Sequence, residues 1–261
     1  INNFPYQAIR DYYAKWYRPD LQGIVIVGDI NAEEMEAKLK KVFEDVKAPV
    51  NPAERIYYPV SDNQEPLIYI GTDKEVKNPS VNIFFKHEAT PDSLKNTINY
   101  YASQYMLSMA MTMLNNRLNE LRQTANPPFT NASAGYGEFF LAKTKEAFSL
   151  DARSKGDGID LAMKTVLEEA ERARRFGFTA TEYERARANY MQGVESAYNE
   201  REKTKSGSYV NEYVNNFLDK EPIPGIEFEY MLTKQMAPNI PVEAINKMMQ
   251  QLITDNNQVV L

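Results

Sequence analysis

Cysteine is absent from all 261 residues, and histidine and tryptophan occur once each, as His87 and Trp16. Without a thiol there are no disulfides, thiolate zinc sites, iron–sulfur clusters or cysteine nucleophiles. A single imidazole excludes every catalytic zinc centre built on two or three histidines. A basic excess is missing too: 30 Lys and Arg stand against 36 Asp and Glu, a net charge of -6. Proteins that bind a phosphate backbone need clustered Lys and Arg to release counterions, so the balance argues against nucleic acid as a partner. No stretch approaches the ~18 consecutive apolar residues of a membrane-spanning helix. No signal-peptide pattern opens the chain, and its first residue is Ile1, so the expectation is a processed or excised piece.

What is present suits one large domain, or one domain with part of another: 43% hydrophobic residues over this length can bury a sizeable core. Tyr6, Ile9, Tyr13, Trp16 and Tyr17 recur at helical spacing until Arg18-Pro19-Asp20 forms a turn. Gly23 to Val27 reads as a short buried strand. Beyond Gly28-Asp29, Asn31 and Glu34 have capping-box spacing, and Met35, Leu39, Val42, Phe43 and Val46 make one apolar helix face. Prolines 49, 52, 59 and 66 then force an extended crossing. The organisation expected is a helix-strand-helix tail over 1–48, a Pro-rich linker over 49–66 and a second unit over 67–261.

In that second unit "PLIYIGTDKEV" and "SVNIFFKHEA" read as two strands around a polar turn. A long helix follows, with Pro91 at its first position and a stripe from Leu94 through Met106, Met109 and Met113 to Leu121. The methionines lie at helical spacing with leucines, which favours core over a pliable binding surface. "FTNASAGYGEFFLAKTKEAFSLDARS" has strand alternation, Ile159 to Phe176 reads as a helix, and Thr179 with Glu182 is a second capping box. The tail "IPVEAINKMMQQLITDNNQVVL" is helix, polar turn and apolar strand, an echo of "YQAIRDYYAKWYRPDLQGIVIV" near the start. The fold class is therefore α+β, with sheet packed against helices.

The phrase "IRDYYAKWYRPDLQGIVIVGDINAEEMEAKLKKVF" resembles recurrent text of the pitrilysin-like (M16) zinc metallopeptidases. "NNRLNELRQ" before "FTNASAGYGEFF", and "TATEYERARANYMQGVESA", are similar to the region of that family called the C-terminal or inactive domain. The resemblance implies an αβ-roll of the LuxS/MPP-like kind, with a mixed or antiparallel sheet, preceded by the closing elements of a catalytic-type roll. It also implies a parent enzyme of four rolls around a closed chamber, whose His-x-x-Glu-His zinc motif lies outside this chain. No cofactor is then expected in this segment, with zinc in the parent. The partners implied are the other rolls of the same polypeptide, a peptide substrate and, in some relatives, a sister M16 subunit; family relatives in bacteria are exported.

Weighed residue by residue, His87 beside Glu88 reads as a polar residue near a turn rather than a ligand, because one imidazole cannot hold a catalytic metal. No Gly-x-Ser-x-Gly elbow accompanies it for nucleophilic catalysis. Gly135-Tyr136-Gly137 lacks the rest of a phosphate-binding loop and reads as close strand packing. Glu168 with Arg172 and Glu171 with Arg175 have the spacing of ion pairs on a solvated helix face. By the resemblance, Arg122 matches an arginine that helps hold substrate in the second half of such enzymes. Phe129 stands at the position of a tyrosine there and, without a hydroxyl, cannot support an oxyanion. Arg122 is expected to cap carbonyls or form an ion pair at its helix end.

The reading is a noncatalytic, substrate-enclosing roll of a zinc metalloendopeptidase, with Arg122, Phe129 and Tyr136 expected near the peptide-facing surface and no catalytic or metal-binding residue of its own. The rival is the same domain in a catalytically dead homologue that serves as scaffold or partner subunit of an active sister.

Overall fold

The computed structural model describes residues 3–261. These divide into two compact units, one of residues 3–56 with 202–223 and the other of residues 57–201 with 224–261.

The first unit holds three helices, α1 (Tyr6–Trp16), α2 (Ala32–Val42) and α7 (Ser206–Asp219). The Tyr13 and Tyr17 rings stack at 4.8 Å, and the Arg18 side chain closes the turn through an ion pair to Asp20 at 3.2 Å. Asn31 caps α2 by accepting from the Glu34 N–H (3.1 Å), which is one half of the expected capping box. The expected strand at Gly23 to Val27 is not formed: this segment joins no ladder among the described residues, and Ile24 and Ile26 are exposed. A strand exists only where a neighbour supplies hydrogen bonds, and apolar alternation cannot supply one. Gly23 instead runs against α7, where an added Cβ would lie 3.1 Å from the Phe217 ring.

The second unit is a five-stranded sheet with helices against one face. Its strands are β1 (Leu67–Ile68), β2 (Ser80–Glu88), β3 (Asn131–Phe139), β4 (Ala142–Arg153) and β5 (Gln258–Val260), in the order β1-β5-β2-β4-β3. Only the β1–β5 pair is parallel, so the sheet is mixed. The two strands expected on either side of a polar turn do not pair with each other. Leu67 and Ile68 pair with Val259 and Val260, and β5 lies between them and β2. The last strand of the chain thus fills the position that local sequence assigned to a hairpin.

Pro91 is the N-cap of a short helix, α3 (Asp92–Lys95), rather than the first residue of a long one. Thr97 interrupts the run: its hydroxyl donates to the Leu94 carbonyl (2.7 Å) and accepts from the Tyr100 N–H (3.1 Å), which starts α4 (Ile98–Arg122) afresh. The remaining helices are α5 (Ile159–Phe176), α6 (Ala180–Asn199), α8 (Ile226–Met236) and α9 (Val242–Leu252). Thr179 and Glu182 form the complete capping box at the start of α6.

The core lies between sheet and helices. Val81, Ile83 and Phe85 of β2 and Phe148 and Leu150 of β4 face Tyr105, Met109 and Met113 of α4, together with Val166 of α5 and Met249 of α9. The methionines at helical spacing are core, as their periodicity implies. Arg117 pins three helices at once. Its guanidinium donates to Glu182 Oε1 (2.6 Å) and Oε2 (2.9 Å), to Glu169 Oε1 (3.3 Å) and to the Gly177 carbonyl (3.0 Å). On the surface of α5, Glu171 pairs with Arg174 and Arg175, but Glu168 pairs with Lys164 and Arg172 turns to Glu169 (3.1 Å). Glu169 is 4% exposed, and a buried carboxylate gains more from a cation than a solvated one does.

Candidate functional site

The apolar alternation of β2 continues past Phe85 to His87, and that of β4 runs back from Leu150 and Phe148 to Glu146. Because β2 and β4 pair His87 with Glu146, both polar residues sit on the core face at the end of the sheet, where the packed layer runs out. In β3, Tyr136 is level with Phe148 and points to the same face. Its hydroxyl donates to Glu146 Oε2 (2.9 Å), and the Thr90 N–H donates to Oε1 (3.4 Å). The His87 and Tyr136 rings lie 5.9 Å apart. They border a cavity of about 480 Å³ whose opposite wall comes from α4 and α9, with Tyr100, Gln104 and Gln251 among its polar groups.

His87 Nε2 is 3.0 Å from the carbonyl of Leu252, the last residue of α9. A helix-terminal carbonyl lacks an intrahelical partner and can only accept, so Nε2 carries the proton and Nδ1 keeps a lone pair. Burial pushes the imidazole pKa below its ordinary 6.5, against smaller upward pulls from the Leu252 carbonyl and Glu146. Burial, then the Glu146 carboxylate, pushes the Tyr136 phenol upward, so it stays a neutral donor. Glu146 is half-buried, and no Lys or Arg side chain pairs with it among the described residues.

The residues singled out in the sequence fall in different places. Tyr136 belongs to this cluster. Phe129 is in the core at 2% exposure. Arg122 is exposed at the end of α4, where its Nη2 donates to Asn119 Oδ1 (2.8 Å) one turn back, rather than to a carbonyl or a carboxylate. His87 does more than end a strand, and Glu146 was not picked out at all. The signal available was the polar residue in phase with the apolar alternation on each of two strands.

Among the described residues no group of three or more His, Asp and Glu side chains could hold a metal ion. With His87 Nε2 given to Leu252, a catalytic zinc does not fit this donor set. Also among the described residues, no helix is long and apolar enough to cross a membrane.

Comparison with known proteins places the chain in a family. The family model described as "Peptidase M16 inactive domain" matches residues 3–190. The chain is 28% identical over 255 residues to "Zinc protease PQQL-like" of Arabidopsis thaliana, covering 97% of this chain and 23% of that protein. It is 22% identical over 246 residues to "Probable zinc protease PqqL" of Escherichia coli, covering 94% and 26%. It therefore spans about a quarter of the length of these curated relatives. Among solved structures, the periplasmic protease PqqL from Escherichia coli superposes with a TM-score of 0.81 at 19% identity, over 99% of this chain and 28% of that one. A predicted insulinase family protease from Yersinia pestis gives 0.77 at 13% identity, over 97% and 54%. Expectations drawn from the Trp-Tyr-Arg-Pro-Asp turn and the helix-strand text are met on the family and on the α+β fold: the chain belongs to the peptidase M16 family, in the region its family model describes as the inactive domain.

Proposed function

We propose that this chain is the noncatalytic, substrate-enclosing part of a zinc-dependent metalloendopeptidase that degrades peptides, with the zinc centre held by another segment of the same protein. The observation that carries this reading is the donor set: one histidine, bonded to a helix-end carbonyl, in a chain whose full-length relatives are named zinc proteases. A domain without metal ligands contributes to peptide hydrolysis by excluding water and by holding the chain that is cut, through sheet and cavity surface.

The domain division proposed is the closing tail of a preceding roll over 1–48, a linker over 49–66 and the noncatalytic roll over 67–261. Arg122 and Tyr136 are proposed to face peptide, Arg122 as an exposed cation and Tyr136 through its cavity, with Phe129 supporting β3 from the core. The compartment proposed is the periplasm or another exported location, as for the Escherichia coli relative.

The test is zinc stoichiometry and cleavage of internally quenched peptides by the intact protein that contains this chain. One zinc per molecule and chelator-sensitive cleavage support the reading. A zinc-free, inactive protein that raises the activity of an M16 sister would replace it with the scaffold role. Unchanged peptide kinetics after substitution of Arg122 and Tyr136 would remove those two residues from it.

A further inference from the structure

The cavity at the sheet end presents acceptors and an uncompensated negative charge. Glu146 is the only Asp, Glu, Lys or Arg among its lining residues. Each Glu146 oxygen accepts one hydrogen bond, from Thr90 or Tyr136, and a carboxylate oxygen has capacity for two. His87 Nδ1 adds a lone pair, because Nε2 carries the proton toward Leu252. The aromatic faces of His87 and Tyr136 stand beside these acceptors, and a cation gains further from such faces.

A half-buried carboxylate without a cation is costly unless something else supplies the charge. Elsewhere in the same unit the sequence does supply it. The buried Glu169 has Arg117 and Arg172, and Glu182 has Arg117. At Glu146 the chain supplies two neutral donors and leaves open space of about 480 Å³, the size of a small-ligand pocket.

We infer that this cavity receives one positively charged side chain of a peptide, best a guanidinium, which donates to Glu146 and His87 and lies against the Tyr136 ring. A guanidinium offers five N–H donors in a planar fork, which matches a set of convergent acceptors better than a point ammonium does. The inference rests on the reading that peptides reach this domain, and it names which peptides are held there.

The test compares two fluorescein-labelled peptides, identical and otherwise uncharged, one with arginine and one with the neutral isostere citrulline. Binding to the intact protein is read by anisotropy with chelator present, so that no peptide is cut. The arginine peptide is expected to bind roughly tenfold more tightly, the size of one charge-assisted contact. In Glu146→Gln, which keeps the side-chain shape and one acceptor oxygen but loses the charge, the ratio is expected to fall to near one. Equal affinities in the unaltered protein, or a ratio that persists in Glu146→Gln, overturn the inference. If Glu146→Gln fails to fold, the arginine-to-citrulline ratio in the unaltered protein decides alone. Failure of the peptidase reading has a separate signature, absence of zinc and of cleavage, which leaves the anisotropy comparison intact.

Discussion

Arg117 and Glu182 meet in a two-pronged ion pair, Nε to Oε1 at 2.6 Å and Nη2 to Oε2 at 2.9 Å, with both side chains less than one-fifth exposed. Glu182 is also the return arm of the α6 capping box, through the Thr179 N–H at 2.7 Å. The side-chain bond from Arg117 is the largest cause holding its carboxyl down at about 2, against an ordinary 4.5. A depressed carboxylate stabilises fully above the unfolded-state pKa and progressively less below it. The contribution should therefore be complete above pH 4.5 and decline as pH falls towards 2. Arg117→Met is expected to cost about 3 kcal/mol in urea unfolding at neutral pH, because it leaves Glu182 and Glu169 without their shared cation. The difference from the parent protein should narrow in the acid window.

Gly177 has φ +72°, and an added Cβ would sit 2.5 Å from the Asn246 amide. Asn246 is committed there, accepting from the Phe178 N–H (2.7 Å) and donating to its carbonyl (3.1 Å). Gly177→Ala meets both a left-handed backbone and a blocked neighbour, so it is expected to lose about 2 kcal/mol or more. Gly137→Ala is the control, since nothing lies within 4 Å of the added carbon and its φ is not positive. Equal thermal midpoints for the two variants would contradict this.

His87 should titrate below 6.5 in an NMR pH series, because burial opposes the charged ring. The groups facing it are Glu146 of β4, Tyr136 of β3 and the Leu252 carbonyl of α9, with Lys145 adding a small opposing charge. A base with a depressed folded pKa adds stability above its unfolded value and loses it as pH falls from there toward the folded value. Stability should thus decline from about pH 6.5 downward until the folded ring is itself protonated, and His87→Gln should flatten that slope. A midpoint above 6.5 would contradict burial as the dominant influence on this ring.

Phe129 is 2% exposed inside the same core as Phe148 and Met113. Phe129→Ala is expected to cost roughly 3–5 kcal/mol, with Phe129→Leu much milder, the pattern of a packing residue. If both variants kept full stability while raising KM, direct contact with peptide would be the better account.

Much of the fold was legible because its signals are local. Thr179 and Glu182 lie three residues apart, so the capping box reads directly, and the stripe through Met106, Met109 and Met113 needs only the helical period. The break at Thr97 was not legible, since a threonine in a helical run gives no sign of whether its hydroxyl will bond the Leu94 carbonyl. Gly23 to Val27 has strand composition without a strand, while Gln258–Val260 forms one between β1 and β2. The difference lies in the neighbours, which propensity does not encode.

The sequence by itself determined the family, the α+β class, the capping box of Thr179 and Glu182 and the scarcity of histidine and cysteine, because these depend on residue inventory and on spacings of a few positions. Only the tertiary structure decided that His87, Tyr136 and Glu146 share one cavity. Ladder register sets that meeting, and a slip of one residue would turn each strand's side chains to the opposite face.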